Sequence, residues 1–444
     1  MSTIKSNTVA LATLGCKLNQ AETEQIAQSF ASAGFSIVEF GSRANVYVVN
    51  TCAVTHIADR KSRQLIRQAR RLNPDALVVV SGCYANVSPR EIYATDSGEA
   101  ADSGGLLVVP NEEKSSLVDI VASKLGVRDE EEAEGNTYPI GEISSSAKRT
   151  RAFVKIHDGC NQFCAYCIVP YARGRARSTP VSTIVKSIND LHAAGFKEVV
   201  LTGVHIGAYG KDLREEGGPN LEALIRAVLD NTSIPRIRLS SIEPQDFTRA
   251  MLEMWPSPRL CRHLHLPLQS GCDSVLRRMR RPYDVDQYRR IVDLARSRIP
   301  GVAVTTDIIV GFPGETDEEF RLTYDFAEEI GFSGIHVFKY SARQGTSAAE
   351  LPNQVPHAVK KVRSEALIAL AQKSGRQFAS TFVGKTLDVL YESQAGDSPE
   401  LACEGLSDNY LRVVSPCSVD VLNEIVPSTV VTLSGEKLIA RVNR

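Results

Sequence analysis

Three apolar, β-branched runs near the N-terminus each end in a turn that carries a cysteine: "TVALATLGC", "ANVYVVNTC" and "ALVVVSGC", closing on Cys16, Cys52 and Cys83. Helical patterns such as "AETEQIAQSFASAGF" and "ADRKSRQLIRQARRL" separate them. Strand-length apolar runs alternating with helices build a parallel sheet, because parallel neighbours need a crossover connection. Ligands of such sheets collect at the carboxyl ends of the strands. The repeated placement predicts that three thiols, 36 and 31 residues apart in the chain, come together at one edge. The plainer alternative is three cysteines buried independently at strand ends. A fourth run, "LLVVP", and the helix "EEKSSLVDIVASKL" complete an N-terminal parallel α/β domain over residues 1–126.

Residues 127–147 turn acidic ("DEEEAEG") and then Ser/Gly-rich, the composition of a linker. A second βα series follows over 148–375, with strands expected at "AFVKIH", "EVVLTG", "RIRLSS", "HLHLPL", "AVTTDIIVGF" and "IHVFKY". Six βα units predict a partial (βα)6 barrel or a strongly curved parallel sheet, with its chemistry at the carboxyl ends of the strands. After a long helix over 357–381 come the short runs "TLDVLYE", "YLRVVSP", "VVTLSG" and "LIARVN". Residues 376–444 are thus expected to form a small β-barrel of the OB-like class. The fold class is α/β with a β-barrel appended.

The 444 residues, 43% hydrophobic and 23% charged, have the balance of a soluble globular protein. No apolar run approaches the roughly 18–20 residues that span a bilayer, and no signal peptide is recognisable. A cytoplasmic location without membrane contact is expected. In that reducing compartment the ten cysteines read as metal-binding or catalytic more readily than as disulfides. Cys261, Cys272, Cys403 and Cys417 are expected at core or neutral positions.

The net charge of −1 conceals basic runs, "KRTR" (148–151), "RGRAR" (173–177), "RRMRR" (277–281) and "KKVR" (360–363). Each alone reads as a solvated face; together they suggest a polyanionic substrate. Residues 376–444 carry six Lys and Arg against nine Asp and Glu, so the terminal barrel is no basic clamp. Contact with RNA there would rest on shape and stacking, with Tyr391 and Tyr410 as platforms.

In "HDGCNQFCAYCIVPYARGRARS", Cys160, Cys164 and Cys167 fall within eight residues. A structural zinc site wants four ligands, and His157 is the nearest candidate for a fourth. An iron–sulfur cluster on three thiolates leaves one iron open to substrate or cofactor.

This spacing, with Tyr166 before the last cysteine, resembles the radical S-adenosylmethionine superfamily. "LGCKLNQAE", "NTCAVT" and "GCYA", together with "LTGVHIGAYG", "SSIEP", "LPLQSG" and "DIIVGFPGE", resemble its methylthiotransferases, and the terminal barrel is similar to their TRAM domain. "NTCAVT", "GCYA" and "HIGAYG" look most like the branch acting on N6-threonylcarbamoyladenosine in tRNA. The resemblance implies two [4Fe-4S] clusters. One, on Cys160, Cys164 and Cys167, binds S-adenosyl-L-methionine; the auxiliary one is held by Cys16, Cys52 and Cys83. It implies insertion of a methylthio group at C2 of the modified adenosine at position 37, beside the anticodon. Implied partners are a tRNA anticodon stem-loop, a flavodoxin- or ferredoxin-like electron donor and a sulfur source.

Candidate cofactor contacts at strand ends are Tyr166, Thr202, Gly203, Glu243, Gln269, Gly311 and Pro313. Arg173, Arg175 and Arg177 are candidates for RNA phosphate or for the cofactor carboxylate. Alternative readings are methylthiolation of isopentenyladenosine tRNA or of a ribosomal protein side chain, and a non-catalytic zinc-containing RNA-binding protein.

Overall fold

The computed structural model describes residues 7–95, 105–126, 150–213, 218–394, 402–416 and 419–443. The expected linker, 127–147, and the expected core position Cys417 lie outside them. Packing divides the chain into two compact units that do not follow chain order. The first takes the described residues up to 126 together with Asp158–Gln162 and Cys167–Ala176. The second takes residues 150–157, then Phe163–Tyr166, and the described residues from Arg177 onward.

The first unit is a five-stranded parallel sheet in the order β2-β1-β3-β4-β5, made of Thr8–Thr13 (β1), Ser36–Val38 (β2), Val46–Thr51 (β3), Leu77–Gly82 (β4) and Leu106–Val108 (β5). Strands β3 and β4 are buried along their whole length, which is why they read as unbroken Val-rich runs. The three-residue edge strand β2 carries too short a pattern to stand out in the sequence. Helices Lys17–Ser32 (α1), His56–Leu72 (α2), Cys83–Val87 (α3), Pro89–Thr95 (α4) and Leu117–Lys124 (α5) complete it. Two apolar cores form. One, around Val9, Phe30, Val48 and Val79, is closed by Leu117 and Val121. The other, around Val49, Val80, Tyr84 and Ile92, also takes in Ile168 and Ala172.

In the second unit, Arg151–Asp158 (β6), Arg177–Ser178 (β7), Glu198–Gly203 (β8) and Arg236–Leu239 (β9) form a sheet ordered β7-β6-β8-β9. A further sheet runs β10-β11-β12 over His263–His265, Ala303–Val310 and Gly334–Lys339. The pairings β6–β8, β8–β9, β10–β11 and β11–β12 are all parallel. Isolated parallel bridges, Ile237–Leu260 and Ser241–His265, carry the succession from β9 to β10. Six parallel strands therefore follow one another in chain order, with the helices Val181–Ala193, Leu221–Asn231, Val285–Arg298 and Asp317–Ile330 among their crossovers. Asp317–Ile330 starts with a full capping box, Thr316 and Glu319, as "TDEE" leads one to expect.

After the helix His357–Ser380 the chain closes a barrel, β13-β14-β15-β17-β16, over Thr386–Gln394 (β13), Ala402–Ser407 (β14), Arg412–Pro416 (β15), Ile425–Ser434 (β16) and Lys437–Val442 (β17). Strand β14, "ACEGLS", lacks the β-branched residues that mark strands; pairing on both sides supplies what composition does not. One expectation fails here. Tyr391 is fully buried and its hydroxyl pairs with Ser428, so it is no stacking platform. Cys403 is buried in the barrel core, as expected, and is disulfide-bonded there. Cys261 and Cys272 are buried.

Candidate functional site

Cys16, Cys52 and Cys83 follow β1, β3 and β4 directly, so parallel pairing in register aligns the turns that carry them. A Cβ built on Gly15 would lie 2.9 Å from the Cys52 sulfur, which brings the first two turns into contact. Gly82, at φ +96°, has no room for a side chain, since a Cβ there would sit 2.4 Å from the Thr51 carbonyl. Glycine before cysteine recurs at Gly159, φ +67°, where a Cβ would fall 1.9 Å from the Arg175 carbonyl. The dipeptide Gly-Cys occurs four times, at 15–16, 82–83, 159–160 and 271–272, and three of the four precede a candidate ligand.

Burial pushes the Cys52 thiol up to about 12, opposed by a backbone hydrogen bond from Val54 and reinforced by the neighbouring Cys83 and Cys16. Burial also raises Cys83, but Arg173 and Lys114 pull it down. These are the residues of a charge-balanced buried network. Arg173 Nε lies 3.3 Å from Cys83 Sγ. Its Nη1 donates to Glu22 at 2.9 Å and to Asp158 at 2.8 Å, and its Nη2 donates to Asn19. Lys114 Nζ donates to Glu22 at 2.7 Å and to Asn50 at 3.3 Å. Two cations meet two carboxylates, all buried, so each charge is paired and hydrogen-bonded.

Arg173 is thereby corrected. It is only 2% exposed and turned inward, so it is not an RNA contact. The basic run hid this because its carboxylate partner Glu22 stands 151 residues away in the chain. Arg175 and Arg177 are exposed.

In the same unit the Cys160 sulfur accepts the Gln162 backbone N–H at 3.3 Å, and the Cys160 N–H donates to the Gly174 carbonyl at 3.1 Å. In the second unit Arg281 Nη1 lies 3.2 Å from Cys164 Sγ. Arg281 also pairs with Glu243 and donates to the Tyr283 hydroxyl at 3.1 Å. Burial works against its charge, yet Tyr166, Tyr283, Glu243 and Cys164 outweigh burial and hold it protonated. Cys83 and Cys164 thus each face a buried guanidinium.

The candidate cofactor contacts follow the carboxyl ends of successive strands. Tyr166 comes after β6 and packs against the cluster of Val275, Phe312 and Tyr340. Thr202 and Gly203 end β8, and Glu243 follows β9. Gln269, after β10, sits at φ 66° and bridges Ile308. Gly311 follows β11 at φ +72° and donates its N–H to Glu315 at 2.7 Å; Pro313 beside it is buried. Tyr410 stacks on His263 at 4.3 Å, with Arg238 over its ring at 4.9 Å, so both neighbours are internal.

Among the described residues, no three Cys, His, Asp or Glu side chains close on a single metal ion. Thiolates around one zinc, each about 2.3 Å from it, lie within roughly 4 Å of one another. Two sets of three thiols match the thiolate donors that hold iron–sulfur clusters, and three donors per cluster leave one iron open.

Residues 154–327 match the Radical SAM superfamily, and residues 8–101 match the Uncharacterized protein family UPF0004. The threonylcarbamoyladenosine tRNA methylthiotransferase MtaB of Bacillus subtilis is 40% identical over 426 residues, covering 94% of this chain and 92% of the relative. That of Aquifex aeolicus is 38% identical, covering 86% and 92%. A tRNA-2-methylthio-N(6)-dimethylallyladenosine synthase of Akkermansia muciniphila is 31% identical, covering 95% and 96%. Among solved structures, the radical S-adenosylmethionine methyltransferase TsrM of Kitasatospora setae shares the fold, with a TM-score of 0.54 at 16% identity over 75% of each chain.

Proposed function

This chain belongs to the radical S-adenosylmethionine methylthiotransferase family, and on that premise we propose that it inserts a methylthio group at C2 of N6-threonylcarbamoyladenosine at position 37 of tRNA. The observation that carries the substrate is the 36–40% identity to proteins named for that nucleoside. The dimethylallyladenosine synthases stand at 31–35%.

In this reading Cys160, Cys164 and Cys167 hold the cluster that binds S-adenosyl-L-methionine, and Cys16, Cys52 and Cys83 hold the auxiliary [4Fe-4S] cluster. When bound, these groups supply the one-electron chemistry that an unactivated ring C–H requires, with the sulfur and methyl that replace its hydrogen. The protein's share is placement. Arg281 and Arg173 each donate to one thiolate, which favours the deprotonated ligand. Tyr166, Thr202, Gly203, Glu243, Gln269, Gly311 and Pro313 surround the cofactor. Glu243 acts through its pair with Arg281, leaving the backbone at Thr202 and Gly203 to meet the methionine end. Arg175 and Arg177 remain candidates for phosphate.

Functionally the chain divides into the auxiliary-cluster part (1–126), the radical part (148–375) and the TRAM-like barrel (376–444). A flavodoxin- or ferredoxin-like donor supplies electrons and a separate carrier supplies sulfur. No described helix is long and apolar enough to cross a membrane, and a cytoplasmic site of action is proposed. The test is mass spectrometry of tRNA nucleosides from a strain lacking the gene. Loss of the 2-methylthio form with accumulation of its precursor is expected; an unchanged 2-methylthio nucleoside overturns the reading.

A further inference from the structure

We infer that the exposed face of α2 is a docking surface for the phosphate backbone of the substrate RNA; this rests on the tRNA reading above. The helix "HIADRKSRQLIRQARRL" carries six Arg and Lys side chains against a single carboxylate, Asp59, which is itself buried. At 100° per residue, Asp59, Ser62, Ile66 and Ala69 fall on the inward face, as their burial records. Arg60, Gln64, Arg67 and Arg71 fall on the opposite face as one stripe, with Lys61 beside it, and all five are exposed. Successive stripe members rise about 4.5–6 Å along the axis, and the stripe is about 16 Å long.

A solvated helix face ordinarily mixes charges in neighbouring pairs. The second unit follows that habit. Arg289 pairs with Asp286 and Glu329, Lys361 with Glu365, and Lys373 with Glu328. On α2, Arg63 pairs with Glu91, but Arg60, Lys61, Arg67 and Arg71 have no ion-pair partner among the described residues. A row of unneutralised like charges repels itself, and a polyanion laid along it relieves that repulsion while releasing its own counterions.

Position favours the nucleic acid. Thr55 caps α2, and Cys52 lies three residues earlier, so the helix that carries the stripe leads away from a proposed cluster ligand. Val54 and Ile57, 48% and 58% exposed, add apolar surface at that end, suited to the face of an unstacked base. Two other segments named above offer less, although Arg175 and Arg177 are exposed. The terminal barrel segment is acidic on balance, and Arg173 is turned inward. Phosphate contacts position a nucleic acid without reading sequence, and positioning is what a helix leading away from the chemistry can contribute.

The test uses the full-length, cluster-loaded protein carrying Arg60→Gln, Arg67→Gln and Arg71→Gln together. The probe is tRNA purified from a strain lacking the gene, titrated at several salt concentrations. We expect affinity at about 0.1 M salt to fall at least tenfold, and the slope of log K against log salt to shrink by roughly two to three. Iron content and reductive cleavage of S-adenosyl-L-methionine without tRNA should not change. The matching Arg→Lys triple, which keeps the charge, should bind like the parent. Parental affinity and slope in the Gln triple overturn the surface while leaving the tRNA reading intact. Equal losses in the Gln and Lys triples overturn it too, since charge would not be the cause. Failure of the parent protein to bind this tRNA at all removes the tRNA reading and the surface with it.

Discussion

Arg173 shows how much one side chain changes the picture of the first thiol set. It stands six residues after Cys167 in the chain and donates toward the Cys83 sulfur. A charged donor on a ligating thiolate stabilises the electron-rich, reduced form of a cluster. Arg173→Gln is therefore expected to lower the midpoint potential of the auxiliary cluster, with the other cluster unchanged, and Arg173→Lys to recover part of the loss. Redox titration followed by electron paramagnetic resonance checks this; an unmoved potential in the Gln variant would sink it. That Cys16, Cys52 and Cys83 follow the carboxyl ends of parallel strands was legible, because each is preceded by an apolar, β-branched run. The inward turn of Arg173 was not, because a run of arginines records charge and says nothing about carboxylates folded in from 15 and 151 residues away. Tyr391 escaped for a different reason. The register shifts between Tyr391 and Ser393, and Val389, Leu390 and Tyr391 are buried in succession, so the period-two rule does not apply there.

At the scale of elements, the turn after β4 decides where Cys83 points. Gly82 has both a positive φ and a carbonyl where its Cβ would be, so Gly82→Ala must displace the turn. We expect that variant to lose roughly half its iron and acid-labile sulfide after anaerobic reconstitution, keeping the cluster on Cys160, Cys164 and Cys167. Full iron content would show that the turn tolerates the change. Most elements were legible, since buried parallel strands leave long β-branched runs. Among the strands missed, Ser36–Val38 and Arg177–Ser178 are very short and Ala402–Ser407 is composed of poor strand formers, so their conformation comes from pairing with neighbours.

At the scale of the whole second unit, arginines of the parallel sheet hold the terminal barrel. Arg238 donates to the Asp408 and Ser407 carbonyls, Arg236 to those of Leu406 and Asp388, and Arg262 grips the Asp408 carboxylate. Arg238 also forms a fully buried pair with Glu198 at 2.7 Å. Arg238→Met strands that carboxylate and should cost about 3–5 kcal/mol, toward the lower figure because Arg236 remains 3.8 Å away. The pH dependence has a definite sign. In the parent, burial pushes Glu198 up, while Arg238 and its hydrogen bonds, then Arg151 and Arg236, pull it below the usual carboxylate range. Without Arg238 the burial effect wins and Glu198 rises above its unfolded value. Its contribution is then fully present at low pH and lost as pH rises through the folded value. The stability deficit of the variant should shrink as pH falls from 8 toward 5, measured by anaerobic thermal unfolding at each pH. A deficit that grows on acidification would contradict the pairing.

The discontinuity of the first unit bears on the order in which the protein is made. Cys16, Cys52 and Cys83 leave the ribosome early, as do Glu22 and Lys114, but Arg173, Ile168 and Ala172 follow only after β6 has been synthesised. At about 5–20 residues per second, a nascent chain waits some seconds between Lys114 and Arg173. During that interval Glu22 has half its cationic partners, and one apolar core lacks the two residues that finish it. The surroundings of the thiols that emerge first are therefore completed only once Arg173, Ile168 and Ala172 have been made.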